Sequence, residues 1–209
     1  MKKLIYTCAL LISLVFLSCA TSKVGEGELN PVYVTNSKKI SLLPPTALSR
    51  PLQTYQLIEG QFGKDSFTMM AYIEIVPEGI FISLLNDFGT DMGTISYDGS
   101  KVFFESPYFP KNLKGEYVIS DIQNVYYDVD LLKENYSKAG LEFKVNREPG
   151  KVDETTGKVD ENGVEVDQIR QIYSGDKLIE EIRFEGNSVT IKNFLRKYEY
   201  ILTDGGIVE

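Results

Sequence analysis

Residues 66–85, SFTMMAYIEIVPEGIFISLL, contain two apolar segments of strand length on either side of the turn Pro77-Glu78-Gly79. In segment 66–76, the alternate positions that share one face are Phe67, Met69, Ala71, Ile73 and Ile75. The opposite face is also largely apolar, and Ser83 is the only polar residue in segment 80–85. An antiparallel sheet with one face in water alternates between apolar and polar residues. This stretch does not, so we predict an antiparallel sheet whose two faces are both covered.

The same pattern extends in both directions along the chain. Short apolar runs alternate with turn signals such as Asp98-Gly99-Ser100 and Ser174-Gly175-Asp176. The predicted strands are 54–62, 66–76, 80–85, 92–97 and 101–105, then 141–146, 164–173, 177–184, 188–194 and 196–203. In strand 177–184, Glu180 interrupts an otherwise apolar face. Because strands that are adjacent in sequence usually pair, we expect meanders.

Residues 120–139 separate the two groups of strands and have the pattern of a helix. Apolar residues recur at helical spacing from Ile122 onward, and Ser120 with Gln123 forms a predicted capping box at the start. Asp128 and Asp130 favour a split into two helices. A helical segment here would cover one face of the sheet, so the predicted fold class is mainly β with helical cover (α+β).

The first twenty residues have the form of a targeting segment. Met1-Lys2-Lys3 precedes an apolar run, residues 4–17, that is shorter than the roughly 20 residues of a membrane-spanning helix. The ending Phe16-Leu17-Ser18-Cys19 resembles the lipobox of bacterial lipoproteins, although Phe16 stands where that family usually has Leu. The resemblance implies that Cys19 is lipidated and that a signal peptide, residues 1–18, is removed. The alternative is a non-lipidated signal peptide in which Cys19 is incidental.

The rest of the chain divides into a tether and a domain. Residues 19–41 have little pattern and are predicted to be a lipidated tether, in which a short strand around Val32–Val34 remains open. The prolines of Leu42-Leu43-Pro44-Pro45 mark the start of a domain at 42–209. Within it, the charged segment 149–162 repeats the sequence GKVDE and is predicted to be a flexible insertion that is dispensable for folding.

Composition excludes several classes of function. The formal net charge of −8 disfavours nucleic acid as a partner, since such binding depends on Lys and Arg at phosphates. The chain has no His, which removes Ser-His-Asp triads, Cys-His pairs and HExxH zinc sites. Residues 86–91, NDFGTD, lack the length and the terminal Glu of a calcium loop and are interpreted as a turn. We expect no enzyme activity, no cofactor and no metal site.

Aromatic and aliphatic side chains are the more informative feature. The chain has 13 Tyr and 11 Phe, which pack cores or line apolar pockets. A sheet that is apolar on both faces, with a helix between its halves, favours an enclosed apolar cavity. The candidate lining residues are Met69, Ile73, Phe81, Leu84, Phe103, Ile122, Ile182 and Phe184. An error of one residue in strand phase would exchange a strand's lining residues for those of its opposite face.

The order of these parts resembles the LolA/LolB-like superfamily, and within it the uncharacterised LolB-like outer-membrane lipoproteins that are often associated with aryl-polyene gene clusters. The segments that carry the resemblance are Leu43-Pro44-Pro45, Gly93 with Tyr97-Asp98-Gly99, Asp121-Ile122-Gln123, Asn193-Phe194 and Tyr198-Glu199-Tyr200-Ile201-Leu202. The family commonly has Trp after the Asp-x-Gln segment, where this chain has Tyr126-Tyr127.

This resemblance implies a strongly curved antiparallel sheet, an incomplete barrel, with one or two helices plugging its concave side. It also implies a monomeric, membrane-anchored lipoprotein in the cell envelope, in the outer membrane facing the periplasm. Its curved sheet would bind acyl chains during transport or membrane insertion of lipoproteins or (glyco)lipids. The alternative is a non-catalytic structural or protein-interaction lipoprotein of the envelope with a filled core.

Overall fold

A computed structural model describes residues 31–62, 64–106, 114–149 and 166–207. Its main feature is one antiparallel sheet of ten strands, accompanied by a two-stranded hairpin and two helices. The fold is therefore mostly β, as predicted. The signal segment 1–18 and Cys19 lie outside the described residues, as does the predicted insertion apart from Pro149, which ends a strand.

The strands agree closely with the predicted ones, because each is a short alternating run bounded by turn residues. The N-terminal hairpin consists of β1 (Pro31–Tyr33) and β2 (Lys39–Ser41). The large sheet consists of β3 (Leu52–Phe62), β4 (Asp65–Val76), β5 (Gly79–Leu85), β6 (Asp91–Tyr97), β7 (Val102–Glu105), β8 (Glu142–Pro149), β9 (Val166–Ser174), β10 (Lys177–Glu185), β11 (Ser188–Asn193) and β12 (Tyr198–Ile207).

The sheet is built from two meanders that meet at its centre. The strand order is β7-β6-β5-β4-β3-β12-β11-β10-β9-β8. Neighbours in sequence pair within each half, as expected, whereas the pairing of β3 with β12 joins the two halves. At this seam Gly60 pairs with Tyr200. Strands β7 and β8 do not pair with each other, so the sheet is not closed into a barrel.

One face of the sheet, here called the inner face, is continuous and apolar across the first meander. Ile73, Ile82 and Ile95 pair with one another across β4, β5 and β6, and all three are buried. The period of two along each strand then places their alternate neighbours on the opposite, outer face. The inner face is the one that the helices cover.

Two helices, α1 (Gly115–Tyr126) and α2 (Val129–Lys138), follow β7, with a short 3-10 helix at Pro45–Ala47 preceding the sheet. The predicted split is confirmed: the Asp128 side chain accepts hydrogen bonds from the backbone N–H groups of Asp130 and Leu131, at 2.9 and 3.2 Å, and caps α2. Neither of these two helices combines the length and hydropathy that would let it span a membrane.

The predicted start of the first helix at Ser120 is wrong. Helix α1 begins at Gly115, and Lys114 at its N-cap makes no side-chain capping bond. Gly115 lies so close to β7 that a Cβ there would be 2.9 Å from Val102 and 3.0 Å from Phe104. Packing against β7 therefore determines where the helix starts, and Ser120 is a buried residue in the middle of the helix.

The sheet curves around α1. The N-terminal part of α1 contacts β6 and β7, whereas its C-terminal part hydrogen-bonds to side chains of β9 and β10 in the other half. One helix can touch both halves of a ten-stranded sheet only if the sheet bends around it. The predicted incomplete barrel with a helix in its hollow is thus the observed architecture.

Residues 31–41, which the sequence analysis assigned to the tether, belong to the folded part instead. Val32 and Ile40 pair across the hairpin, and both are buried. Their alternation with exposed residues is a strand pattern that the short length of the segment obscures. Farther along, Leu43 and the Gln123 side chain of α1 exchange two hydrogen bonds, at 3.0 and 2.7 Å.

Candidate functional site

The candidate site is the interface between the inner face of the sheet and α1. Of the eight predicted lining residues, five are buried on this side: Met69, Ile73, Leu84, Ile122 and Ile182. Phe184 is half-buried and packs against the same core. The structure brings these six to the space between sheet and helix.

Phe81 and Phe103 were predicted wrongly. They lie on the outer face, where their side chains are 40% and 57% exposed. Phe81 and Leu84 are three residues apart in one strand and cannot share a face. In a strand that reads GIFISLL, both faces are apolar, and only the pairing with β4 and β6 shows that Ile80, Ile82 and Leu84 point inward.

Helix α1 occupies the hollow of the sheet. Its Ile119, Ile122 and Val125 are each less than 5% exposed and belong to the same core cluster as the inner-face residues. One cavity beneath the N-terminal hairpin has a volume of about 10 Å³, room for roughly one water molecule. Side chains of the hairpin, both helices and the second meander line it. In this conformation α1 fills the space that the sequence analysis predicted to be an apolar cavity.

Asp121 of α1 is buried and points to the second meander. The Tyr198 hydroxyl donates to its carboxylate oxygens at 2.9 and 3.1 Å, and the Tyr200 hydroxyl donates at 2.9 Å. Burial raises the pKa of Asp121 well above its usual range, and the nearby Glu180 raises it further. The two tyrosine hydroxyls and Arg196 act in the opposite direction.

Glu180 of β10 is buried next to the same helix. A β-bulge between Leu178 and Glu180 shifts the register with β9, so that Ile179 and Glu180 are both buried. Its carboxylate accepts hydrogen bonds from Asn124 of α1 at 3.0 Å and from Asn193 of β11 at 2.8 Å. Burial raises the pKa of Glu180.

Two arginines complete the polar part of the interface. Arg170 of β9 donates to the backbone carbonyls of Asn124 and Tyr127, at 2.7 and 3.2 Å, and so satisfies the C-terminal end of α1. Burial lowers the pKa of Arg170 to about 10. Arg196 donates to the backbone carbonyls of Tyr33 and Val34 in the hairpin.

The arrangement is that of a hydrogen-bonded helix–sheet interface. Every buried side-chain nitrogen and oxygen in the described residues has a partner. Among these residues, no three or more His, Cys, Asp or Glu side chains converge in a way that could hold a metal ion. The carboxylates bind hydroxyl and amide donors of the protein itself, so what the site can do is hold α1 against the sheet.

Sequence reasoning did not single out Asp121, Glu180, Arg170 or Arg196 as site residues. The sequence contained a signal for Glu180, because this residue interrupts an apolar strand face. Such an interruption indicates either that the face is partly exposed to solvent or that a buried charge has a partner there. Asp121 was named only within the segment Asp121-Ile122-Gln123 that carries the family resemblance. Its local pattern did not indicate burial, because an acid in an amphipathic helix is usually solvated.

The chain belongs to the family described as Protein of unknown function (DUF3261), whose model matches residues 53–204. The match spans the large sheet and both helices and begins after the N-terminal hairpin. A comparison with curated proteins gave no match.

Proposed function

We propose that this member of the DUF3261 family is a monomeric LolA/LolB-like lipoprotein of the cell envelope that binds acyl chains between its inner sheet face and α1. It would act without a reaction, in the transport or membrane insertion of lipoproteins or (glyco)lipids. The lipid on Cys19 would anchor it, in the outer membrane facing the periplasm.

The observation that carries the proposal is the mixed character of the α1 interface. On the first meander α1 packs on aliphatic side chains, but on the second it is held through Asp121, Asn124 and Glu180, which are buried. Buried ionisable groups stabilise an interface less than apolar groups of similar size do. A helix held in this way is easier to displace than one with a wholly apolar face. Displacement of α1 would expose an apolar groove on the inner face of the sheet. Burial of an acyl chain in that groove would contribute about 0.8 kcal/mol per methylene.

A disulfide that ties α1 to β7 tests this proposal. A Cβ on Gly115 would lie 3.0 Å from the Cβ of Phe104, which is shorter than the 3.5–4.5 Å typical of a disulfide. The start of α1 must therefore move away from β7 by about 0.5 Å to admit the pair, and the single variant Gly115→Cys measures what that shift costs. We expect the double variant Gly115→Cys/Phe104→Cys to bind a fluorescent fatty-acyl probe when reduced and to lose binding when oxidised. Each single variant, titrated under both conditions, is the control. Equal binding by the locked and reduced forms would contradict displacement of α1.

The anchor has its own test. Cys19→Ala should leave the chain unprocessed or release it from membranes, because the acylated side chain is then missing. Membrane fractionation and the mass of the processed chain measure this. A variant as membrane-bound and as fully processed as the wild type would refute the lipoprotein assignment.

The second candidate is a structural or protein-interaction lipoprotein of the envelope. The filling of the hollow by α1 and the small cavity beneath the hairpin favour it. One measurement distinguishes the two candidates: the titration, with acyl probes, of protein in which no disulfide ties α1 to β7. The absence of saturable binding across several lipid classes would favour the second candidate.

A further inference from the structure

The N-terminal hairpin and the β11–β12 turn form one continuous surface. Arg196 of the turn donates to the backbone carbonyls of Tyr33 and Val34, and its guanidinium lies 4.0 Å from the ring centroid of Tyr117. On the hairpin, Tyr33 pairs with Lys39, and both side chains are exposed. We call this surface, which comprises Tyr33, Lys39, Phe194 and Lys197, the basic aromatic surface. Lys38 is not part of it, because it is half-buried and its ammonium donates a hydrogen bond to the backbone carbonyl of Gly140.

The charge of this surface is opposite to that of the whole protein. Residues 31–41 and 193–198 contain Lys38, Lys39, Arg196 and Lys197 and no Asp or Glu, in a chain whose formal net charge is −8. The adjacent Glu199 forms an ion pair with Lys192, whose ammonium lies 5.8 Å from the centroid of the Phe194 ring. Lys197 has a φ of 60°, a conformation that glycine adopts more easily. A lysine there is exposed at the cost of backbone strain.

Two large apolar side chains lie among these cations. Tyr33 is 46% exposed and Phe194 is 41% exposed. Lysines flanking exposed aromatic rings match the interfacial region of a membrane, where rings sit at the level of the headgroups and lysines reach anionic groups.

The chain outside the described residues places a membrane near this surface. In the proposed function the lipid is attached at Cys19, and residues 20–30 connect it to β1. Such a segment spans at most roughly 40 Å when fully extended. Since it joins the fold at Pro31, next to the pair formed by Tyr33 and Lys39, the leaflet that holds the anchor lies within reach of the surface.

We propose that the basic aromatic surface docks on the anionic leaflet that carries the lipid anchor, a role that rests on the proposed anchor at Cys19. Its lysines would bind anionic headgroups while Tyr33 and Phe194 enter the interface. The small cavity beneath the hairpin would then face the bilayer.

Because the chain contains no Trp, a single introduced Trp is the only source of Trp fluorescence. We would reconstitute the full, processed protein as Phe194→Trp in vesicles of equal parts phosphatidylglycerol and phosphatidylcholine with brominated acyl chains. We expect a blue shift and strong quenching of the Trp emission. The matched control is Phe103→Trp, which lies on the outer face of β7 and is more exposed, at 57%. This control should remain unquenched.

Neutralising the cations completes the test. In the Phe194→Trp background, Lys39→Gln/Lys197→Gln should reduce quenching to the level of the control, and so should vesicles of phosphatidylcholine alone. The docking surface would be overturned if Phe194→Trp were quenched no more than Phe103→Trp. It would also be overturned if the two lysine substitutions left the quenching unchanged. Flotation of the same samples with the vesicles measures the anchor separately. If the protein floats but its Trp is not quenched, the anchor is present and the proposed docking of the surface is ruled out.

Discussion

The two halves of the sheet meet α1 in different ways. In β4, β5 and β6 the buried inner-face residues are Met69, Ala71, Ile73, Ile75, Ile80, Ile82, Leu84, Ile95 and Tyr97. In β9 to β12 the inner face mixes aliphatic residues with Arg170, Glu180, Asn193 and Tyr198. We call these the apolar half and the polar half.

The apolar half binds α1 without directional bonds, whereas the polar half fixes its position. Hydrogen bonds to Asp121 and to the carbonyl groups of Asn124 and Tyr127 require one register of the helix against β9 and β12. Hydrophobic contact is nearly indifferent to small shifts, and hydrogen bonds are not. The polar half therefore specifies where α1 sits, and the apolar half contributes hydrophobic contact that does not depend on direction.

The outer faces of the two halves differ as well. Phe81 and Phe103 are exposed on the outer face of the first meander. The second meander carries ion pairs there, such as Lys192 with Glu199 at 2.6 Å and Arg183 with Glu181 at 3.2 Å. Each half therefore has its own surface chemistry, in addition to its own contact with the helix.

The largest effect is expected from a charge on the inner face of the apolar half. Ile82→Glu removes a buried aliphatic side chain and places an unpaired carboxylate there, which should reduce the free energy of unfolding by roughly 4 kcal/mol or more. The neighbouring substitution Phe81→Glu, on the outer face, should cost less than about 1 kcal/mol. Urea unfolding measures both. Equal losses would contradict the assignment of the two faces.

The next largest effect concerns the attachment of α1 to the polar half. Arg170→Ala leaves two buried carbonyl groups at the end of α1 without their donor, at a cost of about 2–4 kcal/mol in the free energy of unfolding. Arg170→Lys keeps the charge but loses the forked geometry, so its cost should be intermediate. A loss below about 1 kcal/mol for Arg170→Ala, in the same urea assay, would show that the helix end is satisfied in another way.

A smaller effect is the pH dependence that the polar half introduces. Because burial raises the pKa values of Asp121 and Glu180, the folded state holds protons more strongly than the unfolded state does. Their contribution to stability is complete below their unfolded-state pKa values and is lost as the pH rises through the folded-state values. The free energy of unfolding should therefore fall as the pH rises above the unfolded-state carboxyl pKa values of about 4.

The double variant Asp121→Asn/Glu180→Gln removes both titrating groups, and it should flatten this dependence. Urea unfolding at several pH values checks it. A wild-type slope that the double variant reproduces would mean that other groups cause the pH dependence.

The smallest effect is expected on the outer face of the polar half. Lys192 and Glu199 form an ion pair in which both side chains are 46% exposed. A double-mutant cycle with Lys192→Ala and Glu199→Ala should give a coupling energy of about 0.2–1 kcal/mol that decreases at high salt. A coupling as large as the effect of Arg170→Ala would remove the contrast between the outer and inner faces.

Local patterns predicted the secondary structure well. All ten strands of the large sheet and the helical segment between them were expected from alternation, helical spacing and turn residues, which involve only nearby positions. The helix start was wrong because Ser120 with Gln123 satisfies the capping pattern, whereas contact with β7 extends the helix to Gly115. Phe81 of β5 and Phe103 of β7 were assigned to the wrong face because both faces of β5 are apolar and β7 is only four residues long.

The sequence by itself determined the class of the fold, the strands and turns, and the absence of histidine chemistry, since these depend on composition and on residues close together in the chain. Only the tertiary structure decided the pairing of β3 with β12, the packing of residues 31–41 and the burial of Asp121 and Glu180. The pairing joins residues as distant as Gly60 and Tyr200, and the bulge at Glu180 depends on its register with β9. Register and burial are properties of contacts between distant segments, and no local pattern contains them.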